Sequence, residues 1–301
     1  MLSPLSFLTF HFFPMTALHE IKTIAVCGAG TMGAGIAQVA ATSGYDTLLF
    51  DIQPAMLDKA KAQITQNLDT AVAKGKLSAA DKTATLNRLQ FTSRLQDCVA
   101  AVIIEAIAEQ IEAKTGLFNQ LAECNHSDAI FASNTSSLSV SRIAAGVINP
   151  SRVVGMHFFN PAPLMKLVEV VTAESTNPGI AALVYELAKR MGKTPVHVKD
   201  APGFIVNRVA RHYYLEAMKA AEQELADFAT IDRLLESTGF RMGPFALMDL
   251  IGNDVNLAVT QSLYTAFAQA PRFAPNALQA SRVAKGELGR KSGRGFYDYE
   301  G

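Results

Sequence analysis

A histidine and a glutamate lie on opposite arms of the segment VVGMHFFNPAPLMKLVEVV, residues 153–171. Its apolar, strand-like arms flank the turn-forming sequence NPAP, and His157 and Glu169 are each six residues from Pro163. An antiparallel pairing about that centre places the two side chains opposite each other, with Cβ atoms about 5 Å apart. A carboxylate beside an imidazole fixes its tautomer and stabilises the imidazolium, so the pair can accept an alcohol proton. An ordinary core histidine with a solvated edge glutamate is the alternative that this spacing leaves open.

The sequence GAGTMG fits the dinucleotide-binding pattern G-x-G-x-x-G, and its residues are Gly28, Gly30, Thr31, Met32 and Gly33. A predicted strand enters this turn, a predicted helix leaves it, and Asp51 ends the next strand. The glycines permit a tight turn and the close approach of a pyrophosphate, which the N–H groups of the helix N-terminus attract. Asp51 suits ribose hydroxyls and repels a 2′-phosphate, which predicts NAD rather than NADP. A purely structural glycine turn is the alternative.

Hydroxyl and amide side chains follow at two further places. SNTSSL, residues 133–138, comes directly after a predicted strand, so its serines emerge at the carboxyl edge of the sheet. In open α/β sheets this edge binds ligands. Ser136 and Ser137 can donate to a substrate oxygen or cap the next helix. In PGFIVNR, Asn207 lies early in a predicted helix and faces either a cleft or solvent.

Strands that alternate with helices predict the scaffold for these residues. Short apolar runs indicate buried strands at 22–27, 46–51, 91–92, 101–107 and 129–134. Stretches of residues that favour helix lie between them at 31–43, 54–74 and 111–124. The alternation indicates an α/β fold, with a Rossmann-type, doubly wound and mostly parallel sheet.

After Asp200 the pattern changes to helices, which predicts a smaller all-α domain. Helical stretches cover 206–225 and 231–238, another opens at Pro244, and a last one is capped by Asn253 or Asp254. We therefore predict a nucleotide-binding domain at 18–200 and a helical domain at 201–301. Residues 1–17 are interpreted as an extension that is disordered or a start-site artefact.

Composition excludes several classes of protein. The chain has 301 residues with 27 Lys and Arg against 27 Asp and Glu, so it has no excess charge to bind nucleic acid or an anionic membrane. Apolar residues make up 49%, which supports a large core, and no apolar run approaches the roughly 20 residues of a membrane span. Three cysteines without disulfide spacing indicate a reducing, cytoplasmic location. No histidines and cysteines have metal-ligand spacing, so we expect no metal.

Six blocks in order resemble the L-3-hydroxyacyl-CoA dehydrogenase family. They are GAGTMGAGIAQVAA, SNTSSLSV, HFFNPAPLMKLVEVV, DAPGFIVNR, MGPFALMDLIGNDV and GRKSGRGFYDY, and the resemblance extends from about Ile21 to Tyr299. The chain is similar to the short bacterial form, which acts on 3-hydroxybutyryl-CoA or 3-hydroxyadipyl-CoA. The resemblance implies an NAD-binding domain followed by a helical domain for substrate binding and homodimer formation.

The resemblance also implies roles for individual residues. His157 matches the family's catalytic base and Glu169 its partner, while Ser136 and Asn207 match the residues that hold the substrate's 3-oxygen. The cofactor contacts that it implies are the glycine turn with Asp51, Glu109, Lys114, Ser136, Asn160 and Lys291. The CoA contacts that it implies are Lys114 and Ser136. Lys74 is a candidate for the CoA phosphates, although exposed helical lysines are usually only solvated.

The reaction implied is the reversible, NAD-dependent oxidation of (S)-3-hydroxyacyl-CoA to 3-ketoacyl-CoA, with a short-chain substrate favoured. The alternatives are a 3-hydroxyadipyl-CoA dehydrogenase of aromatic-acid catabolism, a sugar-acid dehydrogenase that needs no CoA site, and a non-catalytic NAD-binding protein. A dicarboxylic substrate needs a clamp for its second carboxylate. Arg208, Arg211 and Arg241 are candidates for it, against the alternative of solvated or interface arginines.

Overall fold

The computed structural model describes residues 18–299, and the interpretation of residues 1–17 lies outside the described residues. Within the described chain, one compact unit comprises residues 18–134 and 140–197. The other comprises residues 135–139 and 198–299. The serine-rich segment after Asn134 is therefore grouped with the helical part of the chain.

Eight strands form one sheet: β1 (Thr23–Cys27), β2 (Asp46–Phe50), β3 (Leu89–Thr92), β4 (Val102–Glu105), β5 (Ile130–Ser133), β6 (Val153–Phe158), β7 (Leu167–Thr172) and β8 (Thr194–Lys199). Their order is β3-β2-β1-β4-β5-β6-β7-β8. The six strands β1 to β6 pair in parallel, and β7 pairs antiparallel with β6. All four residues of β4 and of β5 are buried, as expected for central parallel strands covered on both faces. The predicted mostly parallel, doubly wound sheet is confirmed.

The helices of this first unit are α1 (Thr31–Thr42), α2 (Pro54–Ala73), α3 (Ala79–Asn87), α4 (Ile111–Cys124), α5 (Val140–Ala145) and α6 (Pro178–Arg190). Proline stands at the start of α2 and α6, where its missing N–H costs nothing. The sequence prediction had no helix at α3 and no strand at β8. Helix α3 buries only Thr85, so it lacks the apolar periodicity that reveals a helix in sequence.

The second unit contains the helices α7 (Val206–Glu222), α8 (Phe228–Ser237), α9 (Pro244–Ile251), α10 (Asn253–Ala266) and α11 (Ala277–Ala284). Its core is a cluster that includes Tyr214, Met218, Phe245, Met248 and Phe296. Apart from the end of β8, the β pairing within residues 198–299 consists of isolated bridges near the chain end. The predicted all-α character is confirmed.

The predicted cap of α10 is wrong. Gly252, with φ of 103°, precedes the first helical residue, and no side chain caps the helix there. Asn253 lies inside the helix and donates instead to Asp249 Oδ1 at 2.9 Å. The positions of Asn253 and Asp254 were compatible with a helix cap. In the structure, however, the side-chain amide of Asn253 is bound by the buried carboxylate of Asp249 on α9.

Across residues 18–299, none of the helices has the length and apolarity that a bilayer crossing requires. In the same part of the chain, no cluster of three or more His, Cys, Asp or Glu side chains could hold a metal ion.

Candidate active site

The hairpin of β6 and β7 brings the histidine and the glutamate together. In the antiparallel register His157 lies opposite Glu169, and His157 Nδ1 is 2.8 Å from Glu169 Oε2. His157 is 5% exposed and Glu169 is 0% exposed. The predicted pairing is confirmed, and its physical reason is that both arms are apolar and buried, which fixes the register. A buried carboxylate on Nδ1 makes Nε2 the ring nitrogen that can exchange a proton with a ligand.

Asn134 fixes the end of the strand that carries the histidine. Its Oδ1 accepts a hydrogen bond from the backbone N–H of Phe158 at 2.9 Å, and its own N–H donates to the Glu105 carbonyl at 2.8 Å. The ring of Phe159 packs on His157 at 4.4 Å between centroids. The carboxyl ends of β4, β5 and β6 are thus tied together beside the imidazole. Sequence reasoning missed Asn134, although it lies in SNTSSL directly after a predicted strand.

The glycine turn between β1 and α1 has the form of a phosphate cradle. Gly28 has φ of 103°, and a Cβ there would lie 2.6 Å from the Ala106 carbonyl oxygen. A Cβ on Gly33 would lie 1.7 Å from the Gly28 oxygen, whereas a Cβ on Gly30 would meet nothing within 4 Å. Packing therefore requires two of the glycines, and the third borders open space. No side chain caps α1 at Gly30, so the first N–H groups of the helix suit an anion.

Asp51 lies beside this cradle at the end of β2. Its Oδ2 accepts from the Ala29 N–H at 2.8 Å and its Oδ1 from the Gln53 N–H at 2.9 Å. The carboxylate thus holds the glycine turn, and it is partly exposed. Its negative charge favours a diol and opposes a phosphate at the same place. These residues fit NAD, because the glycine turn leaves open space at Gly30, the helix end is uncapped and an acid lies next to it.

A buried ion pair supports the loop that follows β4. Lys114 is 1% exposed, and its Nζ lies 2.6 Å from Glu105 Oε1 and 3.1 Å from Glu109 Oε2. Glu105 also accepts from the Ile107 N–H and the Ser133 hydroxyl, both at 2.7 Å. Burial raises the pKa of Glu105, and Lys114 opposes that rise. Sequence reasoning missed Glu105, whose signal was an acid at the end of an otherwise apolar strand.

In the second unit, two of the predicted substrate residues lie together. Asn207 Nδ2 donates to the Ser136 carbonyl oxygen at 3.3 Å. Thr135 Oγ1 accepts from the Leu138 N–H at 2.9 Å, and Ser139 Oγ donates to Asp200 Oδ2 at 2.7 Å. These bonds connect the short serine segment to the start of the helical unit.

The remaining predicted contacts are mostly exposed. Lys291 pairs with Asp254 at 2.6 Å, Lys74 is the exposed residue after α2, and Asn160 is exposed where the hairpin turn begins.

Of the three candidate arginines, Arg211 is buried and is engaged within its own unit. Its Nη1 donates to Asn256 Oδ1 at 2.7 Å and to Thr260 Oγ1 at 2.8 Å. The Arg208 guanidinium stacks 4.9 Å from the centroid of the Phe267 ring, and Arg241 is exposed. The structure removes Arg211 from the clamp candidates because it is buried and its Nη1 is already engaged inside its own unit.

Comparison with known proteins gives one consistent result. Residues 23–201 match the description "3-hydroxyacyl-CoA dehydrogenase, NAD binding domain", and residues 203–299 match "3-hydroxyacyl-CoA dehydrogenase, C-terminal domain". The chain is 48% identical over 282 residues to a 3-hydroxyadipyl-CoA dehydrogenase of Escherichia coli, covering 93% of this chain and 59% of that protein. The chain therefore spans less than two thirds of that relative.

Other relatives are matched along their whole length. A 3-hydroxybutyryl-CoA dehydrogenase of Clostridioides difficile is 41% identical, with 92% of this chain and 99% of that protein covered. The crystal structure of (S)-3-hydroxybutyryl-CoA dehydrogenase from Ralstonia eutropha superposes with a TM-score of 0.89 at 40% identity. That superposition covers 93% of this chain and 100% of the other.

Proposed function

The chain belongs to the 3-hydroxyacyl-CoA dehydrogenase family, and we propose that His157 and Glu169 act in it as the proton acceptor for an acyl-CoA substrate. It is an NAD-dependent oxidoreductase. The reaction is the reversible oxidation of (S)-3-hydroxyacyl-CoA to 3-ketoacyl-CoA. The observation that carries the assignment is the 2.8 Å contact between His157 Nδ1 and Glu169 Oε2 in a buried hairpin.

The proton chemistry follows from that contact. Glu169 holds Nδ1, so Nε2 of His157 takes the proton of the 3-hydroxyl group. Glu169 then stabilises the imidazolium, whose charge would otherwise be costly in a buried position. Bound NAD supplies the hydride acceptor. In the reverse direction His157 returns the proton to the 3-oxygen.

Other residues are assigned to binding and orientation. Ser136 and Asn207 hydrogen-bond the substrate's 3-oxygen. The glycine turn and Asp51 hold the pyrophosphate and the adenine-side ribose of NAD, and Asn160, Lys291 and Ser136 contact the same coenzyme. Lys114 is buried between two carboxylates, so we assign to it the orientation of Glu109 towards the coenzyme rather than a contact with CoA. Lys74, exposed after α2, is the proposed phosphate partner of CoA.

The proposal also extends to the length of the substrate's acyl chain. We favour a short chain, 3-hydroxybutyryl, because two full-length relatives carry that name. The name of the Escherichia coli relative supports 3-hydroxyadipyl as the second candidate. Initial rates with both thioesters distinguish them: kcat/KM is expected to be higher for the butyryl substrate, and a preference for the adipyl substrate would contradict this choice.

We also propose a cytoplasmic homodimer that forms through the helical unit. Large apolar side chains on that unit are exposed, and they include Ile205, Val209, Leu250, Ile251 and Val255. Exposed apolar groups in this number are typical of a contact surface. Light scattering after gel filtration is expected to give about twice the mass of one chain; a monomer at micromolar concentration would contradict the proposal.

The test of the function is the absorbance of NADH with acetoacetyl-CoA. Oxidation of NADH that depends on the thioester is expected, and NADPH should be a poor substitute because of Asp51. Free acetoacetate with NADH and a sugar acid with NAD are the controls, since neither compound carries CoA. Binding of NADH without turnover would support a non-catalytic nucleotide-binding protein, and turnover of the sugar acid would support the CoA-independent alternative.

A further inference from the structure

A buried lysine lies against the turn that closes the catalytic hairpin. Lys193 stands between α6 and β8 and is 8% exposed. Its Nζ donates to the carbonyl oxygen of Ala162 at 2.5 Å and to that of Met165 at 2.9 Å. Within residues 18–299, no carboxylate forms an ion pair with it. Its ammonium is therefore committed to two main-chain oxygens of one turn.

The same turn is also contacted by the helix that begins at the glycine turn. A Cβ on Gly35 of α1 would lie 3.1 Å from Ala162 Cβ and 3.1 Å from Pro163 Cδ. That approach is tighter than ordinary van der Waals contact, so the glycine lets α1 and the turn touch. Residues 159–166, which we call the hairpin turn, are thus contacted by both α1 and Lys193.

The buried ammonium group of Lys193 contributes little to the stability of the fold. Burial, together with the positive charge of nearby Lys166, lowers the pKa of Lys193 to about 8. A group whose charged form is disfavoured by its surroundings adds little to the stability of the fold near neutral pH. If the side chain at position 193 only filled space, a methionine, which has a similar length and no charge, would be more favourable there. This points to a role in placing the turn.

We propose that Lys193 is a positioning residue that sets the hairpin turn against α1. The turn connects the two strands that carry His157 and Glu169, and it contains Asn160, the proposed coenzyme contact. Displacing it alters the place of the proton acceptor relative to the coenzyme cradle. A displacement of about 1 Å in such a group can cost about 10²-fold in rate. The proposal rests on the proposed function only for its kinetic consequences.

The first test compares three variants. Lys193→Met keeps the length and removes the donor, and we expect kcat to fall about 10- to 100-fold. The melting temperature should stay within about 3 °C, which corresponds to roughly 1 kcal/mol. Lys193→Arg keeps the charge and the donors, so it should recover most of the rate. Lys189→Met is the matched control, because that exposed lysine of α6 pairs with Glu186 on the same helix.

Two results would overturn the proposal. One is a Lys193→Met enzyme with normal kcat. The other is a loss of rate that parallels a large fall in melting temperature and that arginine does not rescue, because a merely structural lysine would behave in that way.

The second test perturbs the hairpin turn from the side of α1. Gly35→Ala pushes on the turn residues that Lys193 holds, so the two substitutions should not act independently. In the double variant we expect the loss in kcat to be at least threefold smaller than the product of the single losses. A loss equal to the product would show that the two residues do not act through one turn.

Binding of NADH, followed by its fluorescence without thioester, keeps this test separate from the proposed function. Lys193→Met should raise the Kd for NADH by at least threefold, and Lys189→Met should leave it unchanged. A wild-type enzyme that binds NADH without turning over acyl-CoA would contradict the proposed function alone. An unchanged Kd in Lys193→Met would contradict the role of Lys193, whether or not the wild type turns over.

Discussion

The two units each bury a carboxylate, and the partners of the two carboxylates differ in kind. Asp249 of the second unit is 1% exposed and accepts from Asn253 Nδ2, from the N–H groups of Phe296 and Tyr297, and from the Tyr299 hydroxyl. These donors keep their protons near neutral pH. Glu169 of the first unit faces the imidazole of His157, a ring whose nitrogens can accept a proton as well as donate one. Burial alone therefore does not identify a carboxylate that supports proton transfer; the nature of its partner does.

Asp249 explains why the chain end has the sequence GRGFYDY. A Cβ on Gly295 would lie 2.1 Å from Asp249 Oδ1, and a Cβ on Gly289 would lie 2.3 Å from the Asp249 carbonyl oxygen. The C-terminal segment thus wraps closely around one carboxylate. Burial and the charge of Asp249 both raise the pKa of Tyr299, so its hydroxyl stays a donor. We conclude that this block serves folding, whereas HFFNPAPLMKLVEVV holds the residue pair that we propose for the chemistry.

Replacing His157, the partner of Glu169, tests the first half of the comparison between Glu169 and Asp249. This substitution has the largest expected effect on kcat. His157→Gln should lower kcat by roughly 10²–10⁴-fold, the range for a general acid or base, because glutamine cannot take the hydroxyl proton. The Kd for NADH and the melting temperature should change little. Near-normal turnover in this variant would remove His157 from its assigned role.

Replacing the other carboxylate tests the structural side. Asp249→Asn loses charged hydrogen bonds from a buried site, so the free energy of unfolding should fall by about 3 kcal/mol. Denaturant titration measures this, and kcat per folded molecule should be retained. Glu216→Gln is the control, since that exposed glutamate only pairs with Lys219 on the same helix and should change stability by less than about 0.5 kcal/mol. A stable Asp249→Asn protein would show that the four donors find other partners.

Asp51 sharpens the comparison, because it is a carboxylate that holds backbone N–H groups and is also open to a ligand. In Asp51→Ala the Kd for NAD should rise about tenfold, the loss of roughly one good hydrogen bond. Affinity for NADP should not fall, so the preference of the enzyme for NAD over NADP should become smaller. Asp46→Ala, at the opposite end of the same strand, is the control. An unchanged preference for NAD would mean that the ribose is recognised elsewhere.

Local pattern predicted most of the strands and helices and the register of the hairpin of β6 and β7. The register was accessible because NPAP marks the turn and the two polar residues are symmetric about it. Partners that come from distant parts of the chain were not accessible. Glu105 and Lys114 are buried against each other, and Arg211 is held by residues of another helix. Periodicity indicates which face of an element is buried, but not which side chain it meets there.

The roles of the predicted site residues are less accessible than their positions. Lys114 lies on the same face of α4 as Phe118 and Leu121 and is buried with them, but that spacing does not show that it meets two carboxylates. Lys193 carries no motif that distinguishes it from other polar residues next to a strand, and Asn134 lies in SNTSSL, where the pattern points to the serines. Their importance follows only from the carbonyl oxygens and N–H groups that the folded chain places beside them.

A double-variant cycle of His157→Gln and Glu169→Gln tests the central claim most directly. If the two residues act as one proton acceptor, replacing Glu169 in a variant that already lacks His157 should cause little further loss of kcat. We predict that kcat of the double variant lies within about threefold of the His157→Gln value. Losses that multiply would contradict the account, because they would show the two side chains contributing separately.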